Sequence, residues 1–178
     1  MINPFRKTFT EEEHRTFLFL TRLRLFSELN YKELAHFLPY MHERTYEQGE
    51  VVFFRNDPSQ ALYLLRSGEV AVNIDINDTY EHLTDVKAGS ALGESCLIRH
   101  SRRELNAVVT SEKADFYVIP QDNIFSIFED HVKIKAKMLE ALAQIFNEYN
   151  SSLFKAYRAS AGFFNLQQVY SRETDQKI

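Results

Sequence analysis

The side chains with chemistry to offer are few and mostly scattered. Six histidines, His14, His36, His42, His82, His100 and His131, include no His-x-His pair and no pair four residues apart on one helix. A metal centre needs clustered histidines with a carboxylate, so no metal site is expected. Cys96 is the single cysteine, which excludes a disulfide within the chain and any cysteine-cluster metal site. With no paired base beside it, Cys96 reads as a small buried hydrophobe rather than a nucleophile. No phosphate loop, no nucleophile with a nearby base and no paired acids at catalytic spacing occur, so the chain is not expected to be an enzyme. One dense stretch remains, from Gly93 and Glu94 through Arg99, His100, Arg102 and Arg103 to Glu104. On residue types alone, Glu94 is an acid favoured by a helix N-terminus. Arg103 with Glu104 reads as a solvated loop pair among basic neighbours.

The elements that must position this stretch fall into three zones. The chain has 178 residues, 44% apolar and 26% charged, enough for a sizeable core without staples. Residues 1–41 carry Phe17, Leu20, Leu23, Phe26 and Leu29 at helical spacing, then Leu34, Phe37 and Leu38. Thr10 with Glu13 forms a capping box, and Ser27 or Asn30 starts a second short helix. In residues 42–120 the period becomes two. Glu50 to Phe54, Leu62 to Leu65, Val70 to Ile76, Tyr80 to Val86, Leu105 to Thr110 and Phe116 to Ile119 read as strands. Val70, Val72, Ile74 and Ile76 are expected on one face, with Asn73 and Asp75 on the other. Many short strands at close intervals argue for an antiparallel jelly roll or sandwich. In residues 121–160 helical spacing returns. Asp122 or Asn123 caps a short helix holding Ile124, Phe125, Ile127 and Phe128. A long helix from about His131 to Tyr157 follows, with an a/d stripe of Leu139, Leu142, Phe146, Tyr149, Leu153 and Ala156. Residues 161–178 are a mixed tail.

Charge and termini narrow the partners. Lys and Arg total 21 against 25 acids, for a net charge of −4 and a pI near 5.9, which argues against direct DNA binding. The start, Met-Ile-Asn-Pro-Phe-Arg-Lys, is no signal peptide, and Phe17 to Leu20 is too short to cross a bilayer. A soluble cytoplasmic protein with no membrane partner is expected.

The order of these zones, with their glycines, resembles the cyclic nucleotide-binding domain family. Tyr46-Glu-Gln-Gly49-Glu50 looks like its turn into a strand, and Ala61 to Val72 looks like its hairpin with Gly68 at the turn. Ala88-Gly89-Ser-Ala-Leu-Gly93-Glu94 is similar to the approach to its phosphate-binding cassette. The resemblance covers roughly Phe26 to Tyr157. It implies a mainly β fold with flanking helices (α+β): a double-stranded β-helix jelly roll with an N-terminal helical segment and C-terminal helices, one domain overall.

The resemblance also implies a site. A cyclic phosphate carries one delocalised negative charge and is held by backbone N–H groups and a guanidinium. Gly93, Glu94 and Ser95 would open the short cassette helix, Glu94 would accept the ribose 2′-hydroxyl, and Arg103 would pair the phosphate. The ligand implied is cAMP or cGMP, with no other cofactor. The long helix, through Leu139, Leu142, Phe146, Tyr149 and Leu153, would form a homodimer seam and carry the signal to a protein partner. Glu104 departs from the family's small residue there. A carboxylate about 6 Å from the phosphate, at an effective dielectric of about 20, would cost about 2–3 kcal/mol if it pointed inward. That is a loss of about two orders of magnitude in affinity. Alternatively Glu104 pairs with Arg103 or Arg102 and fills the cassette. Two other readings stay open: a degenerate module kept as a scaffold or dimerisation unit, and a catabolite-activator-type transcription regulator without its DNA-binding domain. The roughly 20 residues after Tyr157 would not hold a helix-turn-helix domain.

Overall fold

Patterning and capping together account for most of the observed elements. The computed structural model describes residues 9–76 and 79–161. Helix α1 spans Glu11–Leu20 and opens on the capping box of Thr10 and Glu13. It stops ten residues in, although no glycine or proline breaks the sequence there. The Thr21 hydroxyl donates to the Leu18 carbonyl and Ser27 to that of Arg24, a local alternative to continuing the helix. A 3-10 turn (Arg24–Phe26) and helix α2 (Tyr31–Leu34) follow, the latter capped by Asn30 with Glu33 in a second capping box. Breaking the helix this way lets Phe17, Leu20, Leu23 and Phe26 all reach essentially zero exposure. Burial of each stabilises by roughly 1.5–3 kcal/mol.

Eight antiparallel strands follow: β1 (His42–Glu47), β2 (Val51–Phe53), β3 (Ala61–Ser67), β4 (Glu69–Ile76), β5 (Thr79–Lys87), β6 (Ser90–Leu92), β7 (Asn106–Val109) and β8 (Lys113–Pro120). They form two four-stranded sheets, ordered β1-β8-β3-β6 and β2-β7-β4-β5. The fold is the mainly β jelly roll with flanking helices that the resemblance implies. Leu65, Val70, Val72, Ala107, Val109 and Phe116 belong to one buried cluster. Gly68 turns β3 into β4 at φ +89°, and a Cβ there would collide with the Lys113 carbonyl.

The expected alternation in β4 needs correction. Val70 and Val72 are buried, but so is Ala71, and Ile74 is only half-buried. The register with β5 shifts between Val72 and Asn73, and such a bulge re-aims the residues beyond it.

Helix α3 (Gln121–Asp130) starts earlier than Asp122 or Asn123 would cap it. Pro120 is its N-cap, without a side-chain bond, and the Gln121 N–H donates to the Gln60 carbonyl at 2.7 Å instead. Helix α4 runs Val132–Ala161. Two compact units divide within it, Met1–Leu142 and Ala143–Ile178. In the first, Ile134, Met138, Ala141 and Leu142 are buried. Leu139 and Phe146 are half-buried, whereas Tyr149 and Leu153 are exposed. The tail lies outside the described residues, apart from Ala161. Among the described residues no helix is long and apolar enough to cross a membrane.

Candidate functional site

The loop after β2 and the segment before β7 run side by side. The Arg103 N–H donates to the Asp57 carbonyl at 2.9 Å, Asn56 N–H to the Arg103 carbonyl at 2.8 Å, and Ser59 N–H to the Ser101 carbonyl at 3.0 Å. Asn56 takes φ +68° to make this turn, a conformation that asparagine tolerates better than most residues. Between the two strands of backbone and β3 lies the 3-10 turn Glu94–Leu97, whose N-cap Gly93 sits at φ +78°. Its position is pinned on two sides. The Ser95 hydroxyl shares a hydrogen bond with that of Ser59 at 2.9 Å, and the Ser101 hydroxyl donates to the Ser95 carbonyl at 2.6 Å. From α3, the Gln121 amide nitrogen donates to the Cys96 carbonyl at 2.6 Å.

Arg103 enters the centre of this arrangement and is 4% exposed. Nη1 donates to the Gly93 carbonyl at 3.0 Å and Nη2 to the Ala61 carbonyl at 2.7 Å. Nε is buried and has no hydrogen-bond partner. The guanidinium lies over the Phe53 ring at 4.3 Å and 5.6 Å from that of Tyr63. A Cβ at Gly93 would collide with the guanidinium, so glycine is required there twice, for φ and for space.

The electrostatics follow from burial. Desolvation lowers the pKa of Arg103, opposed by Cys96, Tyr63, Glu94 and Asp57; the side chain still remains a cation. Burial pushes the half-buried Glu94 carboxyl above its ordinary value, against the pull of backbone N–H groups and of Arg103. The Cys96 thiol is pushed up to about 12 by burial, so it is an inert part of the packing. No carboxylate forms an ion pair with Arg103 among the described residues.

Gly93, Glu94, Ser95 and Arg103 are therefore brought together. Glu104 is not. It is exposed and pairs with neither Arg103 nor Arg102, whose Nη1 donates to the Asn56 carbonyl at 2.6 Å instead. The backbone turns Glu104 outward as Arg103 turns in, so neither alternative open for Glu104 in the sequence, an inward carboxylate or an ion pair filling the cassette, is the arrangement here. The sequence reading did not single out Phe53, Tyr63, Ser59 or Gln121 for the site. The rings read as ordinary strand apolar residues, and the two polar side chains act through partners 25 to 36 positions away. A cavity of about 390 Å³ lies elsewhere, lined by Glu12, Glu13, Leu38, Met41, Glu43 and Tyr117 among others. Among the described residues no three His, Cys, Asp or Glu side chains cluster to hold a metal.

The family model of the cyclic nucleotide-binding domain matches residues 43–131, the barrel, the cassette and α3. This chain belongs to the cyclic nucleotide-binding domain family. A cyclic AMP receptor protein of Thermus thermophilus is 32% identical over 89 residues, covering 49% of this chain and 41% of its own. Glutaminase 1 of Bradyrhizobium diazoefficiens is 30% identical over 121 residues, 68% of this chain and 19% of the enzyme. The chain thus spans 19% to 41% of the length of the curated relatives it matches. Among solved structures, the regulatory domain of Toxoplasma gondii PKA with cAMP superposes with a TM-score of 0.61 at 22% identity, covering 68% of this chain and 46% of that one. At that identity the likeness shows the fold alone. The short turn after Gly93 interrupts the barrel between β6 and β7.

Proposed function

We propose that this member of the cyclic nucleotide-binding domain family is a regulatory module that binds cAMP or cGMP at the cassette and passes the signal through α3 and α4. The observation that carries the reading is Arg103: a buried cation with no ion-pairing carboxylate and an unpartnered Nε. Burying an uncompensated charge is costly, and an anion brought to it recovers much of that cost. Glu94 stands within electrostatic reach of the same guanidinium, where a sugar hydroxyl attached to the phosphate has a carboxylate to donate to. Gln121 and the Arg99–Glu129 pair at 3.0 Å tie the cassette to α3, which gives a bound ligand a route outward. A protein partner would receive the signal. The fold by itself would not license this ligand.

A second reading rests on a specific contact. Nη1 and Nη2 already bond the chain's own carbonyls, so Arg103 also fits a strut in a module that has lost its ligand and serves as a scaffold. Isothermal titration of the full chain with cAMP and with cGMP separates the two. Saturable heat for either nucleotide, abolished in Arg103→Ala and retained in Glu104→Ala, is the expected result. No heat at millimolar nucleotide would leave the scaffold reading standing.

We infer further that the chain works as a homodimer through α4. Tyr149 and Leu153, 52% and 67% exposed, support this seam. Leu142 is already buried within its own unit, so it packs inward and is not offered to a second copy.

A further inference from the structure

We propose that Phe53 is a positioning residue for anion capture, an aromatic platform that fixes the plane of the Arg103 guanidinium. The proposal rests on the cassette being an anion site. A guanidinium is planar and carries five N–H donors in that plane, none perpendicular to it. Oxyanions therefore approach its edge, while aromatic rings take its face. Here the edge and the face are used by different groups. Two donors go to the Gly93 and Ala61 carbonyls, at 3.0 and 2.7 Å. Cζ lies over the Phe53 ring, 4.3 Å from its centroid, and in the proposed arrangement that ring lies against the guanidinium face. Three N–H groups remain, the unpartnered Nε–H among them.

Hydrogen bonds to two carbonyls still allow the plane to rock about the line joining them. A ring stacked on the face removes that freedom. The ring does not compete with an anion, because it occupies no N–H direction. The platform is itself held: Phe53 lies in β2, paired with Ala107 of β7, and its ring packs against Tyr63 at 5.6 Å. Tyr63 is in turn packed edge-on against Phe116. A rigid sheet thus sets the orientation of a residue that lies on an irregular segment, which is where positioning is most needed.

The test has a ligand-free arm and a ligand arm, both on the full chain. In nitrogen-resolved NMR without ligand, the Arg103 Nε–H resonance should be ring-current shifted in wild type and in Phe53→Tyr, and should lose that shift in Phe53→Leu. In calorimetric titration with cAMP, Phe53→Leu should bind about tenfold more weakly than wild type through lost preorganisation, and Phe53→Tyr should restore the affinity. Phe53→Leu binding as tightly as wild type would overturn the proposal. So would an unshifted Arg103 resonance in wild type, a measurement that stands even if Phe53→Leu fails to fold. If wild type binds no nucleotide, the ligand reading falls, and the ligand-free spectrum still decides whether Phe53 fixes Arg103.

Discussion

Glu94 and Arg103 sit in the same desolvated site yet answer to it in opposite ways. Burial lowers the pKa of Arg103, although two carbonyls and a ring replace part of the water around it. For Glu94, burial raises the pKa above the ordinary carboxylate value in spite of Arg103. The consequence for stability has a definite sign. Between the unfolded carboxylate pKa, about 4.3, and the raised folded value, the native state binds more protons than the unfolded state. Stability contributed by this group is therefore full at acid pH and falls as pH rises through that window. Glu94→Gln removes the titration while keeping the shape. Thermal melts of wild type and Glu94→Gln across pH 4 to 8 should show the variant gaining on wild type as pH rises; parallel curves would mean that Glu94 is well solvated. The same variant should weaken nucleotide binding, because an amide is a poorer acceptor for a sugar hydroxyl than a carboxylate. A residue kept at a cost to stability and needed for a ligand is what a binding site predicts.

At the scale of elements, two of the links that join the cassette to α3 differ in magnitude. Arg99 and Glu129 are 59% and 71% exposed, and such surface pairs contribute roughly 0.2–1 kcal/mol. Gln121 reaches the carbonyl of the fully buried Cys96 at 2.6 Å. Leaving that carbonyl without its partner costs about 1–3 kcal/mol. Gln121→Ala should therefore lower the melting temperature and speed amide exchange at Cys96 and Ile98, whose N–H groups close the 3-10 turn onto Gly93 and Ser95, while Glu129→Ala should do neither to a comparable degree. Equal effects from the two variants would show that the link is not Gln121. Gly93, Glu94 and Arg103 are legible through the family resemblance, which rests on glycine spacing; on residue types alone Arg103 reads as a solvated loop residue. Gln121 is not legible, because it sits at the start of a helix where its type has no local reason to matter. Strand β1 was also missed, because His42-Glu-Arg-Thr-Tyr-Glu47 has almost no buried side chain and is made a strand by its register with β8. Strand β6 was missed for being three residues long. Pairing across the sheet is a non-local term that no window along the chain contains.

For the whole molecule, one row of exposed apolar side chains among the described residues lies on α4. Tyr149, Leu153 and Tyr157 are spaced four residues apart, so they share one helix face, and they are 52%, 67% and 45% exposed. Scattered exposed hydrophobics are ordinary, whereas a row of them along one helix marks an interaction surface. A second copy is the natural occupant, because a twofold axis places the same row on both partners and closes the assembly at two. Each large side chain covered on both copies stabilises the pair by roughly 1.5–3 kcal/mol before the entropy of association is subtracted. A single central charge should then be decisive. Sedimentation velocity should show wild type shifting from monomer to dimer as concentration rises through the micromolar range, and Leu153→Glu remaining monomeric at the same concentrations, with an unchanged melting temperature for the barrel. Wild type that stays monomeric throughout would assign the row to a different partner. The substitution lies in the Ala143–Ile178 unit, whereas Arg103, Glu94 and Phe53 lie in Met1–Leu142. Nucleotide affinity measured in Leu153→Glu therefore reports coupling and not damage to the cassette: if assembly and ligand capture are linked, the monomeric variant binds cAMP with altered affinity, and linkage requires saturating cAMP to change the dimerisation constant of wild type by the square of that factor, one for each protomer's site.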